Sequence, residues 1–281
     1  MTSELDIAYL RRWIGKEETA TETISEVLLA RYRATLGQWL APGDAAHAPL
    51  GLHWCLTQPL AAGDQLGPDG HPTRGGFLPL VPLPSRMWVG GELRQAGPLP
   101  ALARVTRRSV IADVTLKQGR SGPLVFVSIK HEYVAGGKTA IFETQNIVYR
   151  ESTLPQPGPA PADPPEAAKG LQAVLTPDPV LLFRYSAITF NGHRIHYDRP
   201  YACETEGYPG LVVHGPLQAT LLLNLAAKAC GRVPAYFIYR GLAPCYCGNT
   251  LMLCQQGTPT EGTVSCETAD GVRTMQGSYQ T

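Results

Sequence analysis

Two stretches near the start of the chain repeat apolar residues at helical spacing, and each of them ends at a glycine. The pattern predicts helices over 5–13 and 24–36. A third helix is predicted over 215–229, within the most apolar stretch of the chain. Between the second and third helices, 45–84 is rich in glycine and proline and predicts irregular loop.

Alternating apolar and polar residues, separated by glycine-containing turns, predict antiparallel strands in both halves of the chain. The first half is predicted to hold strands at 103–117, 124–134 and 140–150. In the second half, strands are predicted at 180–187, 236–242, 249–256, 263–269 and 272–279. A helix followed by a strand meander in both halves indicates two related α+β units whose sheets pair side by side.

A proline-rich segment separates the two units. Six prolines between Pro155 and Pro165 disfavour helix and sheet, so 151–168 is predicted to be an extended linker. The remaining pieces, an N-terminal unit at 1–150 and a C-terminal unit at 169–281, both have ordinary domain sizes.

Composition and charge narrow the class of protein. Of 281 residues, 44% are hydrophobic and 17% are charged, which predicts a folded chain. The net charge of +1 argues against a nucleic-acid partner or an anionic membrane surface. Seven cysteines without a C-x-x-C pair argue against a disulfide framework or a zinc knuckle. With no signal-peptide pattern and no apolar stretch of ~18 residues, a soluble cytoplasmic protein is expected.

The densest group of chemically active side chains lies in the second half. His193, His196 and His214 fall within 22 residues, together with Asn191. Polar loops that follow a regular element hold functional sites more often than cores do. A histidine, whose ordinary pKa is about 6.5, can take a proton from water and return one to carbon.

Gly215 and Pro216 mark the start of the apolar helix, because proline suits a first helical turn. The exposed amide of Gly215 would favour an anion or a developing oxyanion. An ordinary helix start with glycine as N-cap explains the same residues equally well. An acid/base histidine facing an oxyanion site suits chemistry at a thioester carbonyl.

A metal site formed by His193, His196 and His214 is the rival interpretation of the cluster. No H-E-x-x-H pattern accompanies these residues, and the chain contains no G-x-G-x-x-G or Walker-type loop. We therefore expect neither a metal nor a redox or nucleotide cofactor.

Two segments carry a family resemblance: T-F-N-G-H-R-I-H-Y-D from Thr189 and Y-P-G-L-V-V-H-G-P-L from Tyr208. They resemble the MaoC-like hydratases and dehydratases, specifically the hydroxyacyl-thioester dehydratase type 2 branch, which includes mesaconyl-C4-CoA and itaconyl-CoA hydratases. The segments P-L-G-L-H-W-C-L from Pro49 and P-L-P-S-R-M-W-V-G-G from Pro82 resemble the less catalytic unit of that branch. The resemblance therefore covers most of the chain.

The resemblance implies an α+β double hotdog, with two antiparallel sheets each wrapped around a central helix. In the family's G-D-x-N-P-x-H loop, the aspartate aligns with Asn191 and the histidine with His196. The family's H-G pair aligns with His214 and Gly215. The amide of Gly215 would then hold the thioester carbonyl. Because a carboxamide cannot accept a proton as a carboxylate does, His196 is left for acid/base work and Asn191 for holding water. The sequence of the first unit shows no evident central helix. If that helix is shortened within 45–84, a pocket for the acyl group is expected there.

The implied activity is reversible hydration of a 2-enoyl-CoA, without metal or redox cofactor. Itaconyl-CoA or mesaconyl-C4-CoA, giving citramalyl-CoA, is the preferred substrate, and Arg194 or Arg240 could bind its carboxylate or the CoA phosphates. One alternative is a hotdog thioesterase, which would need Asp198 or Glu206 to activate water. The other is a non-catalytic acyl-CoA binding protein. Self-association is expected because sheet edges need covering.

Overall fold

A computed structural model describes residues 5–119, 122–151 and 170–281. Its helices are α1 (Ile7–Leu10), α2 (Glu26–Leu36), α3 (Pro179–Ile188) and α4 (Gly215–Cys230). The strands are β1 (Glu17–Thr23), β2 (Ser85–Gln95), β3 (Arg104–Gly119), β4 (Gly122–Ala135), β5 (Lys138–Arg150), β6 (Leu171–Leu175), β7 (Tyr236–Gly241), β8 (Leu251–Gly257), β9 (Glu261–Thr268) and β10 (Arg273–Gln280). None of the described helices is long and apolar enough to cross a membrane.

The described strands form a single antiparallel sheet that continues through both halves of the chain. Its ten strands follow the order β1-β3-β4-β5-β2-β7-β10-β9-β8-β6. The halves meet where β2 pairs with β7, with Gly91 opposite Tyr239. The expected side-by-side pairing of two related sheets is therefore present. The predicted linker at 151–168 lies almost wholly outside the described residues.

Helix α4 fills the curve of the C-terminal half. Eleven of its residues are buried, because strands β7 to β10 surround it and β2 also contacts it. It ends where Gly231 adopts a left-handed conformation, with φ of 67°. Glycine enters this region without the steric penalty that other residues pay, which explains the sharp helix end.

The corresponding place in the N-terminal half holds only a short turn of 3-10 helix, Leu52–Cys55. Its His53 ring packs against Tyr133 on β4, and the Trp54 indole donates a hydrogen bond of 2.8 Å to Glu143 on β5. Such a turn is what a shortened helix within 45–84 would leave. That this half forms the acyl pocket stays a prediction.

The strand predicted over 180–187 is wrong, since these residues belong to α3. Asp178 caps this helix by accepting a hydrogen bond from the Leu181 amide, and Pro179 occupies its first turn. A short apolar run does not distinguish a buried strand from a helix by periodicity. The sequence pattern also missed β1, a mostly exposed strand that pairs with β3, and the five-residue strand β6.

Stability should fall on acidification because His53 is buried and neutral. Burial lowers its pKa from 6.5 to about 3, and its Nε2 atom is buried without a hydrogen-bond partner. Below pH 6.5 the unfolded chain takes up a proton that the folded chain refuses until about pH 3. The free energy of unfolding therefore falls as pH drops, by about 2 kcal/mol from this residue at pH 5.

Urea unfolding of the parent and of His53→Phe at pH 7 and pH 5 tests this expectation. The loss of stability between the two pH values should be about 2 kcal/mol smaller in the variant. Between pH 7 and pH 8 the two proteins should change in parallel, because the ring is neutral in both states there. Parallel curves down to pH 5 would contradict the assignment.

Candidate active site

A cavity of about 1510 Å³ lies between the two halves of the chain. The C-terminal half contributes Asn191, His193, His196 and Gly215 to its lining. Residues of the N-terminal half that line it include Trp54, Asp69, His71, Arg86, Trp88 and Glu143. The loop after α3 and the start of α4, which the sequence singled out separately, therefore face one space.

His196 is fixed inside this cavity by the segment that leads into α4. Its Nδ1 lies 2.7 Å from the backbone oxygen of Val212, and only 7% of the residue is exposed. A carbonyl can only accept, so Nδ1 carries the proton and Nε2 is left with the free electron pair. Burial lowers the pKa of His196 to about 4, although the Val212 carbonyl opposes that shift. The ring is therefore neutral near pH 7 and can act as a base.

His214 lies behind His196 rather than at the cavity wall. The two rings stack with their centroids 3.7 Å apart, and His214 Nε2 is 2.8 Å from the Ser186 hydroxyl. His214 is fully buried, and the lining of the cavity passes from Val213 to Gly215 without it. The substrate-binding role of His214 stays a prediction, and in this structure its ring packs against that of His196.

Gly215 is the first residue of α4 and lines the cavity directly. Helix starts leave amide groups without partners inside the helix, and these favour negative charge. A Cβ atom placed on Gly215 would lie 2.9 Å from Cε3 of Trp88. Glycine is therefore required here because the Trp88 ring approaches the backbone closely.

Asn191 also lines the cavity, next to His196 in the same loop. Its Oδ1 accepts a hydrogen bond of 3.0 Å from the backbone amide of His193. The backbone amide of Asn191 donates to the Ser186 carbonyl at 2.9 Å. With Oδ1 occupied, the side-chain NH₂ group is the part of Asn191 that can donate to a water molecule.

The structure adds an aspartate and a histidine that the sequence did not single out. Asp69 Oδ2 lies 3.0 Å from Nδ1 of His71, whose ring centroid is 4.2 Å from that of His193. The loop carrying them packs on the loop after α3, since the Arg194 backbone amide donates to the Asp69 carbonyl at 2.9 Å. The motif D-G-H-P at 69–72 within the glycine-rich loop was the one sequence feature that could have drawn attention to them.

Among the described residues, the set that could hold a metal ion is Asp69, His71 and His193. Each offers one ligand atom, and these atoms lie within 4.8 Å of one another. Within this set, His71 Nδ1 is bonded to the Asp69 carboxylate. The set that the sequence suggested, His193, His196 and His214, is not such a group. In that set, His196 Nδ1 is bonded to the Val212 carbonyl and His214 Nε2 to the Ser186 hydroxyl.

The two arginines expected to bind substrate differ in their surroundings. The guanidinium of Arg194 donates to Asp198 Oδ2 at 2.7 and 2.9 Å and lies over the Tyr201 ring, 4.1 Å from its centroid. Arg194 does not line the cavity, and its bond also occupies Asp198, one of the two alternative carboxylates considered for a thioesterase. Arg240, in contrast, is exposed and lines the cavity.

The family model for hydroxyacyl-thioester dehydratase type 2 matches residues 51–247. The chain is 44% identical over 238 residues to mesaconyl-C(4)-CoA hydratase of Chloroflexus aurantiacus, which covers 83% of this chain and 84% of that protein. A MaoC-like dehydratase from Phytophthora capsici superimposes with a TM-score of 0.67 at 15% identity, covering 98% of this chain and 97% of the other. A Mycobacterium tuberculosis protein with a double hotdog fold does so with a TM-score of 0.56 at 15% identity, covering 95% of each chain. The fold is therefore a MaoC-like double hotdog, as expected.

Proposed function

The chain belongs to the hydroxyacyl-thioester dehydratase type 2 family, and on that premise we propose that it reversibly hydrates a short dicarboxylic 2-enoyl-CoA. The same reaction in reverse dehydrates a 3-hydroxyacyl-CoA. Mesaconyl-C4-CoA, with citramalyl-CoA as its product, is the substrate that the C. aurantiacus relative supports. The observation that carries the proposal is the meeting of His196 and the Gly215 helix start in one cavity.

The chemistry divides among three residues. The NH₂ group of Asn191 holds the water, and the free Nε2 of His196 takes its proton while the water oxygen bonds to Cβ. The electron pair of the double bond moves onto the thioester oxygen, where the Gly215 amide stabilises the enolate. When the enolate collapses, Cα takes the proton back from His196, so one water is added and the enzyme is unchanged.

We infer that no metal or redox cofactor takes part, because every step is a proton transfer or an electron-pair shift that these residues can support.

The free state of all seven cysteines supports our placing the enzyme in the cytoplasm. The strands at the two ends of the sheet, β1 and β6, are where we expect a second copy of the chain to pair.

Product analysis tests the reaction class. Purified protein incubated with mesaconyl-C4-CoA should convert it to a species heavier by one water, detected by mass spectrometry, with no free thiol released. Free CoA appearing in step with substrate loss would instead identify a thioesterase. Binding without either product would identify an acyl-CoA binding protein.

A further inference from the structure

Arg86 lies on β2 within the cavity, in the N-terminal half, and is half-buried. It lines the same cavity as His71 and His193, and the His193 ring centroid is 5.4 Å from that of His196. Burial lowers the pKa of His71 and His193, and the positive charge of Arg86 lowers both further. Among the described carboxylates, none lies within ion-pair distance of Arg86. A cation beside the reacting centre without an acidic partner is available to an anionic ligand.

Arg86 contacts the neutral hydroxyl of Tyr149. The other arginines of the N-terminal half that line the cavity are held by carbonyl, carboxylate or tyrosine groups. Arg74 donates to the Val81, Leu83 and Pro84 carbonyls, and Arg107 pairs with Glu18 at 3.3 Å. Arg150 is bonded to Tyr208. In the C-terminal half, Arg240 is exposed and thus better placed for the CoA phosphates than for the acyl group.

Strand geometry places Arg86 at a suitable distance from the oxyanion site. Arg86 and Trp88 are two residues apart on β2, so their side chains leave the same face about 7 Å apart. Trp88 is the residue that packs against Gly215. One face of β2 therefore carries Trp88, beside the proposed oxyanion site at Gly215, and Arg86, which lines the cavity together with His71 and His193.

We propose that Arg86 binds the free carboxylate of the substrate and so selects dicarboxylic over monocarboxylic acyl-CoA. This assignment rests on the proposed hydration reaction. In mesaconyl-C4-CoA the free carboxylate is attached to Cβ, the carbon that receives water, and is three bonds from the thioester carbon. A carboxylate at that position lies beside Asn191 and His196, the residues that hold and activate the water. The His71 and His193 rings line the same cavity, and the Arg86 charge lowers the pKa of both.

The pairing also explains how a monocarboxylic substrate is disfavoured. A planar guanidinium can make two parallel hydrogen bonds to a carboxylate. Crotonyl-CoA has a methyl group trans to its thioester, where mesaconyl-C4-CoA has the carboxylate, so it makes neither of these two hydrogen bonds.

Kinetics with Arg86→Met and Arg86→Lys test the assignment. For Arg86→Met we expect kcat/KM for mesaconyl-C4-CoA to fall by about 100-fold, mainly through KM, and that for crotonyl-CoA to change by less than about 3-fold. Arg86→Lys should recover part of the loss because it keeps the charge. Arg108→Met removes an exposed arginine outside the cavity and should leave both substrates unaffected, whereas Arg240→Met should weaken both substrates equally.

A binding experiment separates this assignment from the reaction itself. Succinyl-CoA carries a carboxylate on Cβ but has no double bond to hydrate, and butyryl-CoA lacks the carboxylate. Calorimetry should show that Arg86→Met weakens succinyl-CoA binding by about 100-fold and leaves butyryl-CoA binding unchanged, even if no substrate is ever hydrated. Equal effects on the two ligands, or no effect on either, would overturn the role of Arg86 whatever the outcome for hydration.

Discussion

Replacement of His196 by alanine is expected to lower kcat for hydration by about 10³-fold to 10⁴-fold, the range that a general acid/base group contributes. The ring is the cavity-lining imidazole whose Nδ1 is fixed by a backbone carbonyl, which leaves Nε2 basic. Burial holds its pKa at about 4, so it is already deprotonated at neutral pH. Steady-state kinetics with mesaconyl-C4-CoA measures the loss, and KM should stay within about 3-fold because the ring is not a binding anchor.

Two controls show whether the loss is chemical. His47→Ala removes an exposed histidine that is bonded to Asp44 and does not line the cavity, and it should retain full activity. His196→Ala removes a ring that stacks on His214. Its thermal unfolding midpoint, compared with that of the parent, shows whether the variant is still folded. A folded His196→Ala enzyme with parental kcat would mean that another group, with His71 the first to examine, takes the proton from water.

The sequence predicted well those parts of the molecule whose signals are local. Helix α4 was expected over 215–229 and runs from Gly215 to Cys230, because its proline start, apolar interior and glycine stop all lie within the helix. Asn191, His196 and Gly215 were expected at one site, and they line one cavity. These features depend on neighbouring residues, which a single sequence displays.

The features that sequence analysis missed depend on contacts between distant parts of the chain. Asp69 and His71 reach the site because the backbones at Gly70 and Gly192 touch, which no local pattern records. Arg86 stands in a motif that had been noted for its family resemblance, but its role depends on how β2 pairs with β7 and faces the histidines. The error at α3 has the opposite cause, since a local pattern was present but fitted a strand and a helix equally.

Replacement of Gly215 by alanine is expected to lower kcat/KM by about 100-fold. The new methyl group would lie 2.9 Å from Cε3 of Trp88, and this ring has little room because it stacks on Tyr239 with centroids 4.8 Å apart. Displacing either Trp88 or the helix start moves the amide away from the enolate oxygen. Loss or misplacement of an oxyanion donor costs about 10²-fold to 10³-fold in rate. The collision also costs stability, and the greater helix preference of alanine offsets part of that cost.

The matched control is Gly210→Ala, where an added Cβ meets no atom within 4 Å, and this variant should behave like the parent. A double-mutant cycle then identifies the cause. If the collision with Trp88 is responsible, Gly215→Ala should cost about 100-fold in the parent but only a few-fold in a Trp88→Leu background, where the methyl group has space. Equal costs in both backgrounds would mean that the methyl group blocks the substrate carbonyl directly. No cost in either background would remove Gly215 from the oxyanion site.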